Sequence, residues 1–573
     1  MNANECDGER SIYQRRVLVV DNDPEFRQDH GENLNRWGFQ PVLAKGMGDM
    51  LIQDAIELVR KERCQLAIVD MRLRDDDDRN DDSGLCLAPN LLPARTIVVT
   101  GYGDLATARK ARDQFQAFNI IGKEEGPGVL LEAIHSALED SCENYIDIEW
   151  PLYCSPPEII QRLELEPVRL LQDQPHTAIC RLYASNDGSP SLTQLKLESL
   201  TDRYQAQKRA LSSSRSLILV ARGRRNGGAW FQEEVIKIAP AHKIDQEIKA
   251  YNGYVRNYLP PRYSARIEDS NHYETLWDIG AIRYTNIESG QWKLFQIWYE
   301  QEETSIDQLA VALRNLFKQT LDPWYRHVHG APKRECNLFR YYLYTIPKLE
   351  RLSSYPDQSP SISIADLPFQ LRNPVVWVQE NKEHSNFVSY WEVITHGDLH
   401  VNNIFANQNA ETCVIDYEHT GPGHFLRDFV ELEADIVLRL FSFERAQLSV
   451  AFRLAVILLT PRVPDAQLAQ LNSIDDLNLQ KEVDRVQSLV QAVRKLAGEV
   501  TDFEQMQEYY WALLMDSLHY LLRRPRKTDD KNEVERVRIW AQLWCALICE
   551  RIEKWDVQWP PAEWCTFLNE EGI

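Results

Sequence analysis

Ten residues, HGDLHVNNIF from His396 to Phe405, carry one Asp, two His and two Asn, and the following CVIDYEH closes an apolar run on a second Asp, Asp416. Phosphoryl transfer from ATP needs few parts: a carboxylate to orient the acceptor hydroxyl, an Asn and an Asp to hold Mg²⁺ on the phosphates, and a Lys to grip them. His396-Gly397-Asp398, then four residues, then Asn403, has that catalytic-loop spacing. Asp398 is therefore the candidate base, and Asn403 and Asp416 are the candidate metal ligands. Upstream, EEVIKIA presents Lys237 on a strand-like run, and Glu247 in IDQEIKAY is the carboxylate best placed to pair with it. A rival reading makes His396, Asp398 and His400 an H-x-D-x-H metal cluster for hydrolysis, but it gives Lys237, Asn403 and Asp416 no role.

A second group of reactive residues stands nearer the N-terminus. RRVLVVD, QLAIVD, RTIVVT and AFNIIGK each read as an apolar strand that ends on a polar residue. Ligands of open parallel sheets bind beyond the carboxyl ends of the strands. Those ends carry Asp21, Asn22 and Asp23, then Asp70, Thr100 and Lys123. Asp70 suits a carboxylate nucleophile for a phosphoryl group. Asp21 and a neighbour suit Mg²⁺, which prefers oxygen ligands. Thr100 is placed to bond a phosphoryl oxygen and Lys123 to pair with its charge.

The elements that must position these residues follow from the hydrophobic pattern. Apolar runs without alternation predict strands covered on both faces, and helical segments such as MLIQDAIELVRKER lie between them, so a doubly wound α/β unit is expected. Residues 141–195 hold six Pro and read as a connector with one or two helices. From 196 to about 290 the chain is strand-rich (QLKLESL, SLILVARG, EEVIKIA, SARIED, YETLW, GAIRYTNI), broken by the helix HKIDQEIKAYNGYVRNYL. Beyond 300 it is mostly helical, and the aromatic residues of segments such as EQMQEYYWALLMDSLHYLL are spaced for a core. LSVAFRLAVILLT reads as a buried helix, because a membrane span needs about 20 apolar residues.

Composition bounds the rest. The 573 residues allow about three or four folding units. The net charge of −22 argues against nucleic acid and anionic membranes as partners. Eleven dispersed Cys without a CxxC pair, and the polar start MNANECDGER, suit reduced thiols in the cytoplasm and no signal peptide. The runs DDDDRNDD (75–82) and RRPRK (523–527) read as solvated loops.

VLVVDNDP, LAIVDMRL followed by SGL, IVVTGYGD and IIGK stand in the order found in the receiver domain of two-component response regulators, which this segment resembles. The resemblance implies phosphorylation of Asp70 by a histidine kinase, an acidic Mg²⁺ pocket at Asp21, Asn22 and Asp23, and a switch pair Thr100 and Lys123. Asn22 replaces an acid, Glu124 follows the Lys, and Ile120 and Ile121 stand where an aromatic is usual.

From about 196 to 573 the chain resembles the aminoglycoside phosphotransferase and choline-kinase-like branch of the protein-kinase fold, through HGDLHVNNIF and VIDYEHTGPGHFLRDF. This implies ATP and Mg²⁺ as cofactors, His396 as structural support and Asp428 as a brace for the catalytic loop. The phosphate loop falls on LSSSRSL (211–217), where Ser213 and Ser214 replace the usual glycines as donors. GHFLRDFVELEADI also looks like the bacterial ternary complex-associated domains.

The expected architecture is a flavodoxin-like receiver (1–140), a connector (141–195), and a two-lobed kinase-like domain with its N-lobe at 196–300 and a helical C-lobe at 301–573. The expected function is a two-component protein in which phosphorylated Asp70 regulates an ATP-dependent phosphotransferase acting on a hydroxyl acceptor. The alternative is a non-catalytic, nucleotide-binding pseudokinase-like scaffold in a signalling or defence complex.

Overall fold

The computed structural model describes residues 16–570 except 63, 76–77, 79–80, 93, 102–114, 116, 140–145, 152–153, 164–173, 184–191, 200–215, 226–227, 268–272, 277, 285–291, 327, 336, 365–366, 383–388, 442–447, 461–476, 504, 523–530 and 556–558. Ser213, Ser214 and the run 523–527 therefore lie outside the described residues. The chain forms two compact units. The first comprises Met1–Ser199, Arg215–Ile244 and Ile267–Tyr284; the second comprises Leu200–Ser214, Asp245–Arg266 and Thr285–Ile573.

In the first unit, strands β1 (Arg16–Val20), β2 (Gln40–Leu43), β3 (Leu66–Asp70), β4 (Arg95–Thr100) and β5 (Asn119–Gly122) make a parallel sheet in the order β2-β1-β3-β4-β5. That order is the flavodoxin-like doubly wound arrangement. Its central strands are apolar at successive positions because each face is covered. Val17, Val19, Ile68 and Val99 pack with Leu34 and Ile134 on one side. Leu18, Val20, Ala67 and Val69 pack with Leu51, Ala55 and Val59 on the other. Helix α1 (Pro24–Arg36) begins where Asp23 caps it by accepting the Glu25 N–H, and Pro24 takes a first-turn position that needs no donor. Helices α2 (Gly48–Lys61) and α3 (Pro127–Glu139) lie on opposite faces of the sheet.

The same unit holds a six-stranded sheet in the order β10-β11-β9-β8-β7-β6. Its strands are β6 (Asp147–Glu149), β7 (Gln194–Ser199), β8 (Leu217–Arg224), β9 (Glu234–Pro240), β10 (Tyr273–Leu276) and β11 (Ile279–Tyr284). The stretch expected as a connector supplies edge strand β6, parallel to β7, together with helices Pro156–Arg162 and Gln174–Leu182. Ile159, Ile160, Ala178 and Ile179 of those helices join the core beneath β7, β8 and β9.

The second unit carries strands β12 (Trp292–Leu294), β13 (Lys333–Glu335), β14 (Ser361–Ser363), β15 (Gln370–Arg372), β16 (Ser389–Thr395), β17 (Ile404–Asn407), β18 (Thr412–Val414) and β19 (Gly421–His424). They form the small sheets β12-β17-β18 and β13-β16-β19 and the pair β14-β15. Of the expected strand SARIED, the described residues include an isolated bridge between Ser264 and Val414. Arg266 instead donates to the carbonyls of Arg256 and Leu259, which ties the segment to the turn before it. The long helices are α4 (Arg427–Asp435), α5 (Leu448–Leu458), α6 (Leu477–Thr501), α7 (Met506–Leu521) and α8 (Lys531–Glu553). Helix α5 is the buried helix expected at LSVAFRLAVILLT, and Trp540 and Trp544 of α8 are fully buried. Among the described residues no helix is long and apolar enough to cross a membrane.

Candidate functional sites

At the carboxyl end of the parallel sheet, the ammonium of Lys123 lies 3.1 Å from Asp21 Oδ2 and 3.0 Å from Asp70 Oδ1. Both carboxylates are buried, and so is Thr100, whose hydroxyl approaches Met71 Sδ at 3.7 Å. Burial first, and the neighbouring Asp21 second, push the Asp70 carboxyl up to about 6, against the pull of Lys123. Burial works against the ammonium of Lys123, but Asp70 and Asp21 outweigh it and raise its pKa. Asp70 is therefore mostly ionised at neutral pH, and it stays so beside a cation that shares its charge.

The surroundings fix these groups. Asp21 Oδ1 accepts the Asp23 N–H at 2.9 Å, and the Arg27 guanidinium donates to the carbonyls of Asp21 and Gly46 at 2.6 and 3.1 Å. Asp70 Oδ2 accepts the Arg72 N–H at 3.2 Å. Gly84 is required by packing: a Cβ there would lie 1.9 Å from the Asp70 carbonyl oxygen. That contact explains the Ser-Gly-Leu after the acidic loop, and Ser83 Oγ accepts the Leu73 N–H at 3.0 Å. Asn22 Oδ1 is buried with no hydrogen-bond partner. A buried amide oxygen without a partner fits a hard cation.

In the second unit, one helix holds the loop 396–401 by its main chain. Asp428 accepts the N–H groups of His396 (2.8 Å) and Gly397 (3.0 Å) and the hydroxyl of Tyr325 (2.7 Å). Glu431 accepts the Leu399 N–H at 2.9 Å, and Asp435 accepts the Val401 N–H at 2.9 Å. These acids stand at i, i+3 and i+7 of α4 and so share one face. The Arg427 guanidinium donates to the Gly397 carbonyl and pairs with Glu431 at 2.7 Å. Burial raises the Asp428 and Glu431 pKa values, with the loop N–H groups and Arg427 opposing it. For Asp435 burial acts upward too, but Arg439 at 2.6 Å outweighs it and lowers the value.

The loop leaves the Asp398 side chain 43% exposed, with His400 Nε2 at 3.8 Å from it. Burial around Asp398 favours its neutral form, but His400 and His419 outweigh it and hold the carboxyl below its ordinary value. Asn403 Nδ2 donates to the Asp398 carbonyl at 2.8 Å, which leaves the amide oxygen for another partner. Asp416 follows β18 in a left-handed backbone conformation (φ 68°), an arrangement that costs an L-residue about 1–2 kcal/mol and is tolerated best by Asn and Asp. The next residue, Tyr417, donates its N–H to Glu247 Oε1 at 3.1 Å. His396 Nε2 contacts the Ile415 carbonyl at 2.9 Å, so this imidazole braces the loop. Gly397 has φ 78°, and a Cβ there would lie 2.3 Å from the His419 carbonyl oxygen. Only glycine fits, which is why no Arg stands between His396 and Asp398.

Lys237 is buried in the middle of β9, level with Ile218 of β8 and Ile282 of β11, and belongs to the first unit. Among the described residues no three His, Cys, Asp or Glu side chains converge on a common metal position. A Mg²⁺ ion at either site would rely on amide oxygens and water beside one or two carboxylates. Sequence reasoning found Asp428 but missed Glu431, Asp435, Arg427 and Arg27. The signal for the first two was present in RDFVELEAD, as acids at helical spacing on the far side of the loop they hold.

The family model for ternary complex associated domain 9 matches residues 356–521, a span that includes the loop, Asp416 and α4. No curated protein matches the chain. Solved structures similar to part of the chain include receiver domains and response regulators. One is a response regulator receiver domain protein from Clostridium thermocellum, at 20% identity, covering 22% of this chain and 95% of its own, with a TM-score of 0.19. Another is a response regulator from Thermotoga maritima, at 21% identity over 22% of this chain and 99% of its own, with a TM-score of 0.19. A response regulator protein from Burkholderia multivorans is similar at 23% identity over 22% and 97%, with a TM-score of 0.18. The flavodoxin-like fold of residues 16–139 stands on its own strand order and register.

Proposed function

We propose that this protein receives a phosphoryl group on Asp70 from a histidine kinase, and that Asp70 regulates an ATP- and Mg²⁺-dependent phosphotransferase that acts on a hydroxyl acceptor. The observation that carries the first half is the Lys123 ammonium bridging Asp21 and Asp70 at 3.1 and 3.0 Å. An Asp70 oxygen attacks the phosphorus of a phosphohistidine, the P–N bond breaks, an acyl phosphate forms and the imidazole leaves with a proton. Lys123 offsets the charge that gathers on the phosphoryl oxygens. Asp21, Asp70 and the unpartnered oxygen of Asn22 would hold Mg²⁺, which when bound neutralises phosphoryl charge.

In the second half, Asp398 orients the acceptor hydroxyl and takes its proton as the new O–P bond forms and the bond to ADP breaks. The carboxylates of α4 hold the loop by its main chain and leave this side chain exposed. Asn403 and Asp416 would hold Mg²⁺ on the phosphates.

The scaffold reading is favoured by one observation, the lack of glycine in LSSSRSL. Measuring ATP turnover by the full chain with a panel of hydroxylated acceptors decides between the two. The enzyme reading expects Asp398→Ala to lose 10²-fold or more, with MgATP binding retained. Turnover in Asp398→Ala equal to wild type sinks it. The receiver half is tested separately: acetyl phosphate with Mg²⁺ should label the wild type and leave Asp70→Asn unlabelled.

A further inference from the structure

Strands β8 and β9 are antiparallel neighbours, and the open end of their hairpin carries two exposed aromatic rings. Arg224, the last residue of β8, bridges to Trp230, and the Phe231 N–H donates to the Gly223 carbonyl at 2.7 Å. Trp230 is 42% exposed and Phe231 48%. A guanidinium stands over each ring: that of Arg224 lies 4.7 Å from the Trp230 ring centre, and that of Arg225 lies 5.6 Å from the Phe231 ring centre. Arg222 pairs with the buried Glu233. Among the described residues neither Arg224 nor Arg225 pairs with a carboxylate, and the Arg224 side chain donates through Nε to Gln194.

Apolar side chains scattered singly over a surface need no explanation, whereas two neighbouring rings, each under a guanidinium, do. A guanidinium laid on a ring keeps the donors at its edge, and that edge fits a carboxylate through two parallel bonds. Holding the fork in place beforehand lowers the entropy lost when the carboxylate arrives. The local charge also opposes that of the chain: residues 222–225 hold three Arg, in a protein of net charge −22. The complement of this patch is therefore an anion. At about 0.1 M salt the Debye length is about 10 Å, so a short acidic segment responds to the patch, while a long polyanion extends into the field of the acidic remainder. Nucleic-acid affinity grows with the number of phosphates neutralised, and two guanidiniums neutralise few. The exposed rings add surface for an apolar side chain, which a phosphate backbone does not offer.

We propose that this end of the hairpin docks an acidic segment of a partner protein, with carboxylates on the Arg224 and Arg225 guanidiniums and an apolar side chain against Trp230 and Phe231. Trp and Arg are the residue types that most often dominate the energy of an interface. The proposal depends neither on catalysis at Asp398 nor on phosphorylation of Asp70.

The probe is a fluorescein-labelled octapeptide of alternating glutamate and leucine, titrated into the full chain and followed by fluorescence anisotropy. Saturable binding is expected, about fivefold tighter than for the same peptide with glutamine at every glutamate. Arg225→Glu, which replaces attraction by repulsion, should weaken the acidic peptide about tenfold. Arg225→Gln decides the matter if that variant does not fold, with a loss of about threefold expected. Trp230→Ala and Phe231→Ala should each weaken it about threefold. Lys495→Glu, at an exposed cation of α6, makes the same change in net charge and should stay within twofold of wild type. Absence of saturable binding, equal binding of the glutamine peptide, or equal weakening by Lys495→Glu and Arg225→Glu overturns the carboxylate contact. Unchanged affinity in both ring variants overturns the apolar contact. Tighter binding of single-stranded oligothymidylate or of phosphatidylserine vesicles than of the peptide overturns the choice of a protein partner.

Discussion

The two candidate sites solve one problem in opposite ways. Around Asp70 the charged side chains touch one another: the ammonium of Lys123 bridges two buried carboxylates, and each group sets the ionisation of the next. Around Asp398 the acids that hold the loop are not the residue whose side chain is exposed. Asp428, Glu431 and Asp435 bind main-chain N–H groups of the loop, and the Asp398 side chain is left open. The first site is tuned by charge; the second is positioned by backbone hydrogen bonds. A substitution at the first should therefore change stability through titration, and one at the second through backbone groups left without partners.

The sharpest way to break that contrast is Asp428→Ala. It strips partners from two loop N–H groups and from the Tyr325 hydroxyl, all in a dry environment. At about 1–3 kcal/mol for each buried group left unsatisfied, a loss of about 3–5 kcal/mol is expected in urea unfolding. A loss under 1 kcal/mol would mean that the ladder does not hold the loop.

An intermediate effect, with the opposite sign, is expected at Asp70. Its folded pKa of about 6 lies above the ordinary carboxylate value of 3.8, so the folded state binds its proton more tightly than the unfolded state. Stability is therefore lost as pH rises from about 4 to about 6, and the cost is complete above that. Asp70→Asn removes this cost. At about 1.4 kcal/mol per pH unit, the variant should be about 1–3 kcal/mol more stable than wild type at pH 8 and nearly equal to it at pH 4. A constant difference across that range would contradict the assignment of burial as the cause.

The smallest effect probes the edge of the first site. Phe26→Leu removes the ring facing the Lys123 ammonium, and a loss of about 0.5–1 kcal/mol is expected by thermal unfolding. If the ring matters through charge, the loss shrinks in Lys123→Met, where no cation remains. An undiminished loss would assign it to packing alone.

The strand ends were legible because a strand covered on both faces must be apolar until it leaves the sheet, so the first polar residue marks its end. Asp21, Asp70, Thr100 and Lys123 all follow that rule. The loop motif was legible because a short stretch between β16 and β17 supplies it. The edge strand β6 was not, since three residues among prolines carry too weak a period. Neither were Glu431 and Asp435: their spacing says only that they share a helix face, not what that face meets.

What the sequence determined by itself is the set of chemical types and their order along the chain: two carboxylate sites, a Lys after the last parallel strand, an Asp-x4-Asn loop. What only tertiary structure decided is which glycines are compulsory and which acids face a backbone. Gly84 and Gly397 are fixed by carbonyl oxygens of Asp70 and His419, which come within 1.9 and 2.3 Å of a Cβ that is not there. Such contacts join residues far apart in the chain, and steric exclusion across them leaves no local pattern to read.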